Sequence, residues 1–359
     1  MPAHPRTNHD IAVIPGDGIG REVMPAALRA LEALGTRHDI AFSFTELDWG
    51  CERHVREGGL MPEDGLDQLL ERDAILLGAV GDPRVPDHLS LWGLLIPIRR
   101  TFDQYVNLRP VRLFPGVRSP LADPQGLDVV IVRENVEGEY SEAGGRVYRG
   151  HAQEMAVQEA IFTRRGVTRI AEYAFELAER RGGGLTSATK SNGIVHTLPF
   201  WDEIVREVAA RHPGVDMREE HIDALCAKVV MQPGSFDVVV GSNLFGDILS
   251  DLAAGAAGSI GIAPSANLNP EREFPSMFEP VHGSAPDIAG QGIANPVGML
   301  WSAQMMLEHL GHEDAAADLM AAIEASLADP ATRTRDLGGH ADTATAADAV
   351  ITRCRQPRS

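Results

Sequence analysis

Cysteine is scarce. The 359 residues include three, Cys51, Cys226 and Cys354, far apart and with no CxxC pair. That excludes a disulfide scaffold and a structural zinc cluster, and it suggests free thiols in a reducing compartment. No apolar run reaches the roughly eighteen residues a spanning helix needs. The opening MPAHPRTNHD lacks an apolar signal region, so a cytoplasmic location is the expectation. Basic charge is short, 32 Lys and Arg against 51 Asp and Glu, a net −19. Such a surface argues against nucleic-acid or anionic-membrane partners. Lysine is almost absent, with only Lys190 and Lys228 among the basic residues. There is no internal repeat, and no Pro- or Ser-rich linker separates the halves.

What is present is an ordinary soluble composition, 44% hydrophobic and 23% charged. At ~150 residues per domain the length points to two domains. Residues 1–9 read as a loose tail. IAVI (Ile11 to Ile14) then reads as a buried strand, PGDGIG as a loop, and REVMPAALRALEAL as a helix in which Pro25 is tolerable only near the first turn. Apolar strands are expected at AILLGAV (Ala74 to Val80), DVVIV (Asp128 to Val132), LTSATK and FDVVVG (Phe236 to Gly241). Helices are expected at TRIAEYAFELAERR, PFWDEIVREVAAR and LFGDILSDLAAGA, with three more from Pro296, near Asp314 and from Asp342. Residues 141–163 lack helical spacing and are expected as an extended arm. Alternating helices and apolar strands predict an α/β fold with a largely parallel sheet. Two domains without a linker predict that the chain crosses between them more than once.

The GDGIG loop (Gly16 to Gly20) lies between strand and helix, where backbone can approach a phosphate. Its spacing does not fit the Rossmann fingerprint, and a purely structural tight turn is the alternative. Arg99, Arg100, Arg109, Arg112 and Arg133 fall within 35 positions of an acidic chain. Arg133 directly follows an apolar strand, at the end where ligands bind in open α/β sheets. Arginine takes a carboxylate with two parallel hydrogen bonds, so the cluster could grip a dicarboxylate; surface ion pairing is the alternative.

Asp247 and Asp251 are spaced i, i+4 on one helix face, where like charges destabilise unless neutralised. A hard divalent cation would do this; the alternative is that Asp247 simply favours the helix N-terminus. Asp223, at a strand-to-helix junction, is a third candidate. Lys190, kept where arginine is preferred, suggests a role needing a removable proton. Tyr140, one of four tyrosines, could serve as a general acid or as a packing residue. His282 lies in a Gly-, Ser- and Pro-rich loop that could wrap a nucleotide.

Five blocks in order, IPIRRTFDQYVNLRP, VRENVEGEY, TKSNG, GSNLFGDILSDLAAG and FEPVHGSAPDIAGQGIANP, resemble the β-decarboxylating dehydrogenases. These are the isocitrate, isopropylmalate, homoisocitrate and D-malate/tartrate enzymes. The resemblance runs from IAVIPGDGIG to about residue 311. It implies an isopropylmalate-dehydrogenase-like two-domain αβα fold, not the Rossmann fold. The larger domain, 1–104 and 258–359, would bind the cofactor. The smaller, 105–257, would carry the arm, dimerisation and the metal and substrate residues.

The resemblance implies roles residue by residue. Arg99, Arg109 and Arg133 bind the substrate carboxylates. Tyr140 protonates carbon after CO2 leaves. Lys190, donated by the partner of a homodimer with shared active sites, assists deprotonation of the substrate hydroxyl. Asp223 of the partner completes a site for Mg2+ or Mn2+ with Asp247 and Asp251, and K+ is an optional monovalent cation. His282, Gly283, Ser284, Ala285, Asp287, Asn295 and Asn192 meet the cofactor. Asp287, followed by Ile288 and Ala289 rather than basic residues, implies NAD over NADP.

Substrate choice depends on SLWGLLIPIRR. Trp92 stands where isopropylmalate enzymes present Glu and isocitrate enzymes Ser, followed by Leu94 and Leu95. A bulky indole there favours D-malate or tartrate, the subgroup whose wording the chain most resembles; a packing role facing elsewhere is the alternative. Val136 departs from that subgroup's usual Thr. The expected reaction is D-malate to pyruvate and CO2, with tartrate also a substrate. The rivals are 3-isopropylmalate dehydrogenase and a non-catalytic regulatory subunit of an isocitrate-dehydrogenase-type assembly.

Overall fold

The structure is a computed structural model that describes residues 7–356. Its strands are β1 (Thr7–Gly16), β2 (Ile40–Glu46), β3 (Ala74–Ala79), β4 (Val106–Arg112), β5 (Asp128–Glu134), β6 (Gly144–Val147), β7 (Met155–Gln158), β8 (Leu185–Thr189), β9 (Met217–His221), β10 (Val238–Gly241), β11 (Pro264–Leu268) and β12 (Ser276–Pro280). The fold is α/β with mostly parallel pairing. Two compact units divide the chain: Met1–Gln104, Leu113–Pro120 and Ala254–Ser359 form the first, Tyr105–Arg112 and Leu121–Ala253 the second. Relative to the expected boundaries, residues 113–120 and 254–257 fall in the first unit.

In the first unit the strand order is β2-β1-β3-β12-β11, parallel except for the antiparallel β11–β12 pair. β3 is buried along its whole length, which is why it reads as an apolar run with no polar alternation. Ile14, Ile75, Leu77, Leu94, Phe102 and Met277 pack in one cluster. The Val297–His309 helix is buried from Val297 to Leu307, so it too shows no polar face.

Two expectations need correction here. Residues 7–9 are not tail but the start of β1, paired in parallel with Ile40 to Phe42; residues 1–6 lie outside the described range. Pro25 sits in the second turn of the Gly20–His38 helix, not the first. It cannot donate to the Arg21 carbonyl, and the helix carries that missing bond.

In the second unit the order is β4-β5-β10-β8-β9, with β4 antiparallel to β5 and the rest parallel. Helices Arg164–Arg181, Thr197–Ala209, Ile222–Met231 and Asn243–Ala257 follow the strands in the expected places. Phe175 and Trp201 are fully buried, and the Trp201 indole donates to Ser187 Oγ at 3.0 Å. Segment 141–163 holds an antiparallel hairpin, β6 with β7, exposed at every strand residue. Among the described residues no helix is long and apolar enough to cross a membrane.

Candidate active site

The second unit gathers one charged constellation. Asn107 stands directly opposite Arg133 in the β4–β5 pair, and Arg109 is two residues on, so all three share one sheet face. The parallel register sets Arg133 beside Gly241, just ahead of the Asn243–Ala257 helix. That helix presents Asn243, Asp247, Ser250 and Asp251 at spacings of four, seven and eight, a single stripe.

Arg133 Nε and Nη2 donate to Asn243 Oδ1 at 3.0 and 2.7 Å, and Nη1 donates to Asp247. Arg109 Nη1 donates to Ser250 Oγ at 2.7 Å and lies 3.2 Å from Asp247 and 3.4 Å from Asp251; its Nε donates to Asn107 Oδ1. Tyr140 donates its hydroxyl to Asp247 Oδ2 at 2.9 Å. Gly246 lets this happen: a Cβ there would come within 2.5 Å of Arg133 Cβ.

Burial pushes the Asp251 carboxyl up, Arg109 opposes it, and the like charge of Asp247 adds to it. Burial also raises the Tyr140 phenol, with Asp247's charge adding and Arg133's opposing. Arg133 is 3% exposed while the Asp251 side chain is 54% exposed. The arginines are therefore the deeper charges and the Asp251 oxygens the more exposed. Two neighbouring carboxylates offering only oxygen fit a hard cation. Among the described residues no three acidic, His or Cys groups gather as a metal site. Asp223 instead pairs with Lys190 Nζ at 2.7 Å, and that bond holds its carboxyl below the usual range.

The remaining candidates belong to the first unit, except Asn192, which is exposed in the turn after Lys190. Buried Arg99 donates to Glu279 Oε1 at 2.7 Å, which also accepts from Asn267, and Arg99 Nε has no partner. Trp92 and Leu95 lie in a single π turn, Leu91–Leu95, a local distortion common at functional sites. Trp92 is half-buried, with the Arg100 guanidinium 5.1 Å above its ring; Leu95 packs on the core.

The loop after β12 carries the cofactor candidates. Burial lowers the His282 pKa, and its Nε2 is buried with no partner, an orphan donor or acceptor that fits a heteroaromatic ligand. Gly283 and Asp287 are exposed, Ser284 is buried, and Ala285 adopts a left-handed φ of 42°. Asn295 is engaged at both amide ends, donating to Asp336 and accepting from Val297 N. The GDGIG turn is structural. Gly18 passes so close to Ser284 that a Cβ would sit 2.1 Å from its carbonyl oxygen, and the buried Asp17 carboxylate accepts from Cys51, Glu52 and Gly81 N–H groups.

Sequence reasoning passed over Asn107, Asn243 and Ser250, which orient the two arginines. For the last two the signal was available, because both fall on the Asp247–Asp251 stripe.

Three kinds of comparison bear on this site. The sequence profile of the family described as Isocitrate/isopropylmalate dehydrogenase matches residues 10–350. The chain is 56% identical to the D-malate dehydrogenase [decarboxylating] of Escherichia coli over 95% of this chain and 97% of that one. It is 55% identical to the tartrate dehydrogenase/decarboxylase of Pseudomonas putida, covering 94% and 95%. It is 51% identical to a probable tartrate dehydrogenase/decarboxylase of Bacillus subtilis, covering 97% and 98%. The crystal structure of isocitrate dehydrogenase from Methylococcus capsulatus is similar with a TM-score of 0.88 and 35% identity, covering 97% of this chain and all of that one (100%).

Proposed function

The chain belongs to the isocitrate/isopropylmalate dehydrogenase family, and on that premise we propose that it oxidatively decarboxylates small 2-hydroxy diacids with NAD and a divalent metal. D-malate, giving pyruvate and CO2, is the best-supported substrate, and tartrate the second. The observation that carries this reading is the stripe of Asp247 and Asp251 interleaved with Arg109, Arg133 and Tyr140.

Two guanidinium groups and two carboxylates here neutralise one another. A dication and a dianion can enter together with no change in net charge. Asp247 and Asp251 would hold Mg2+ or Mn2+, and in turning to it they release Arg109 and Arg133 to the diacid. Arg99, in the first unit, is the third carboxylate ligand. When bound, the cation would lower the pKa of the C2 hydroxyl and NAD would accept the C2 hydride. Lys190 would assist removal of the hydroxyl proton. The C–C bond to the β-carboxylate then breaks, CO2 leaves, and its electron pair stays on carbon. Tyr140 delivers a proton there, and its raised pKa keeps that proton in place until it is needed.

Lys190 and Asp223 come from a second copy of the chain, in a homodimer with shared sites. Three observations support this. In one chain the two are occupied with each other. They are also flanked by exposed apolar side chains, Ile194 and Val195 after Lys190, Val230 and Met231 at the end of Asp223's helix. The fully exposed β6–β7 hairpin adds to this, since two strands alone are marginal in water. The second unit thus serves dimerisation and metal and substrate binding. The first serves the cofactor, with the unpartnered His282 Nε2 the group assigned to the adenine and Asp287 favouring NAD over NADP.

The test is a panel assay of purified protein with NAD and Mn2+, with and without K+, against D-malate, tartrate and 3-isopropylmalate. The highest kcat/KM is expected with D-malate. Preference for 3-isopropylmalate would contradict the substrate assignment, and a lower KM for NADP than for NAD would contradict the cofactor assignment.

A further inference from the structure

We propose that Glu139 is a positioning residue for the proton donor, locking the Tyr140 segment onto the helix that carries Asp247 and Asp251. The inference rests on the reading of Tyr140 given above. Segment 134–140 holds three glutamates, and each carboxylate has a separate structural task. Glu134 accepts from Val136 N at 3.2 Å and Glu137 N at 2.7 Å, closing its own loop. Glu137 accepts from Thr163 N at 2.8 Å and Thr163 Oγ1 at 2.6 Å, at the start of the Arg164–Arg181 helix. Of the three, Glu139 is the one whose carboxylate reaches the acid-bearing helix. Its Oε1 accepts from Ser242 Oγ at 2.7 Å, and its Oε2 from Leu244 N at 3.0 Å.

Leu244 N is one of the N–H groups that a helix start leaves without an internal acceptor, and an anion is favoured there by the helix dipole. Ser242 Oγ also accepts from Phe245 N at 3.4 Å, so Ser242 and Glu139 cap the helix jointly. One residue further along the segment, Tyr140 meets the same helix at Asp247. Leu244 and Asp247 are about 4.5 Å apart along the axis at the usual rise. The segment is therefore tied to the N-terminal end of the helix at two points, with the phenol at one and the carboxylate at the other. Gly138 permits the approach: its φ is +90°, and a Cβ there would be 3.3 Å from Asn243 Cβ. Without the Glu139 carboxylate, the segment loses its tie next to the phenol, and Leu244 N loses the acceptor that Glu139 supplies. Arg109 and Arg133 do not touch Glu139 through any of these bonds, so substrate binding is separable from donor placement.

The experiment uses the full chain with NAD, Mn2+ and D-malate, and compares Glu139→Ala, Glu139→Gln, Ser242→Ala and Tyr140→Phe. Glu139→Ala is expected to lower kcat about ten- to hundredfold, the range for a misplaced reacting group. KM for D-malate should stay within about twofold, and the solvent deuterium isotope effect on kcat should rise as proton delivery becomes limiting. Glu139→Gln, which still accepts from Leu244 N, should recover most of the loss. Ser242→Ala, losing one tie, should fall between wild type and Glu139→Ala, and it keeps the question decidable if Glu139→Ala does not fold. Wild-type kcat in Glu139→Ala, or a loss with an unchanged isotope effect, overturns the proposal while an inactive Tyr140→Phe leaves the proton-donor reading intact. A fully active Tyr140→Phe overturns that reading, and this proposal with it.

Discussion

The two units differ in how far each satisfies itself. The first buries the Val297–His309 helix along nearly its whole length and closes its glycine turn on its own Asp17 and Ser284. The second leaves its β6–β7 hairpin exposed, with Val147, Met155 and Val157 in water, and it carries an ion pair, Lys190 with Asp223, apart from the charged stripe. A folded chain seldom exposes several large apolar side chains on one element without a use for them. The residues proposed as catalytic, Tyr140 and Lys190, fall in the unit with the exposed hairpin, as the proposal of sites shared between copies requires.

The largest effect expected from breaking this contrast is at the acid stripe. Asp251→Asn should cut kcat by about a thousandfold and abolish its dependence on Mn2+, on the scale of losing a metal contact and its charge stabilisation. Full activity in EDTA would remove the metal assignment. Next is association. Val157→Asp on the hairpin should shift sedimentation toward monomer and lower activity in parallel. Leu70→Asp, at an exposed apolar site of the first unit, should leave the oligomeric state unchanged. Equal effects from the two would erase the distinction between the units.

The contrast extends to pH. Glu134, in the second unit, is held up to about 7 by burial, against an ordinary 4.5. Folding therefore favours its protonated form, and the stability it contributes is complete below about pH 4.5 and lost as pH rises through about 7, up to about 3 kcal/mol in all. His309, in the first unit, is pushed down to about 4 by burial and by the Arg272 charge. Its contribution is complete above the unfolded pKa of about 6.5 and lost as pH falls through about 4. Between about pH 4.5 and 6.5 the two groups tilt the stability profile in opposite senses, so denaturant melts across pH 4 to 8 should show Glu134→Gln removing a fall with rising pH and His309→Asn removing a rise, each read as about 1 kcal/mol or more. A slope change of the same sign in both would contradict the assignment. The smallest effect is at Trp92. Trp92→Gly should raise kcat/KM for bulkier malates relative to D-malate by about tenfold, the worth of a filled apolar space. An unchanged ranking would mean that the indole faces elsewhere.

Much of the fold was legible because buried parallel strands are apolar at every position, as in Ala74–Ala79 and Val238–Gly241. Residues 7–9 were not, because the polar letters TNH give no apolar strand signal, yet they pair in register along the backbone, as Asn8 with Ala41 and His9 with Phe42. Pro25 misled because tertiary burial of the Gly20–His38 helix outweighs one lost hydrogen bond. In the site, Asp247 and Asp251 were visible through spacing and charge. Asn243 and Ser250 carry no charge and stood out less, although they aim the arginines. Glu139 was invisible for a different reason: its partner Ser242 is 103 residues away, and no local pattern encodes such a contact.

The most direct measurement of a site shared between copies is complementation. Lys190→Met and Tyr140→Phe chains, each inactive alone, would be unfolded together and refolded as a mixture. In a mixed dimer one site would then hold both intact residues, and the other neither. Activity of about a quarter of wild type is the expected result for random twofold pairing. A mixture as inactive as its two components would contradict the claim that Lys190 of one copy serves Tyr140 of another.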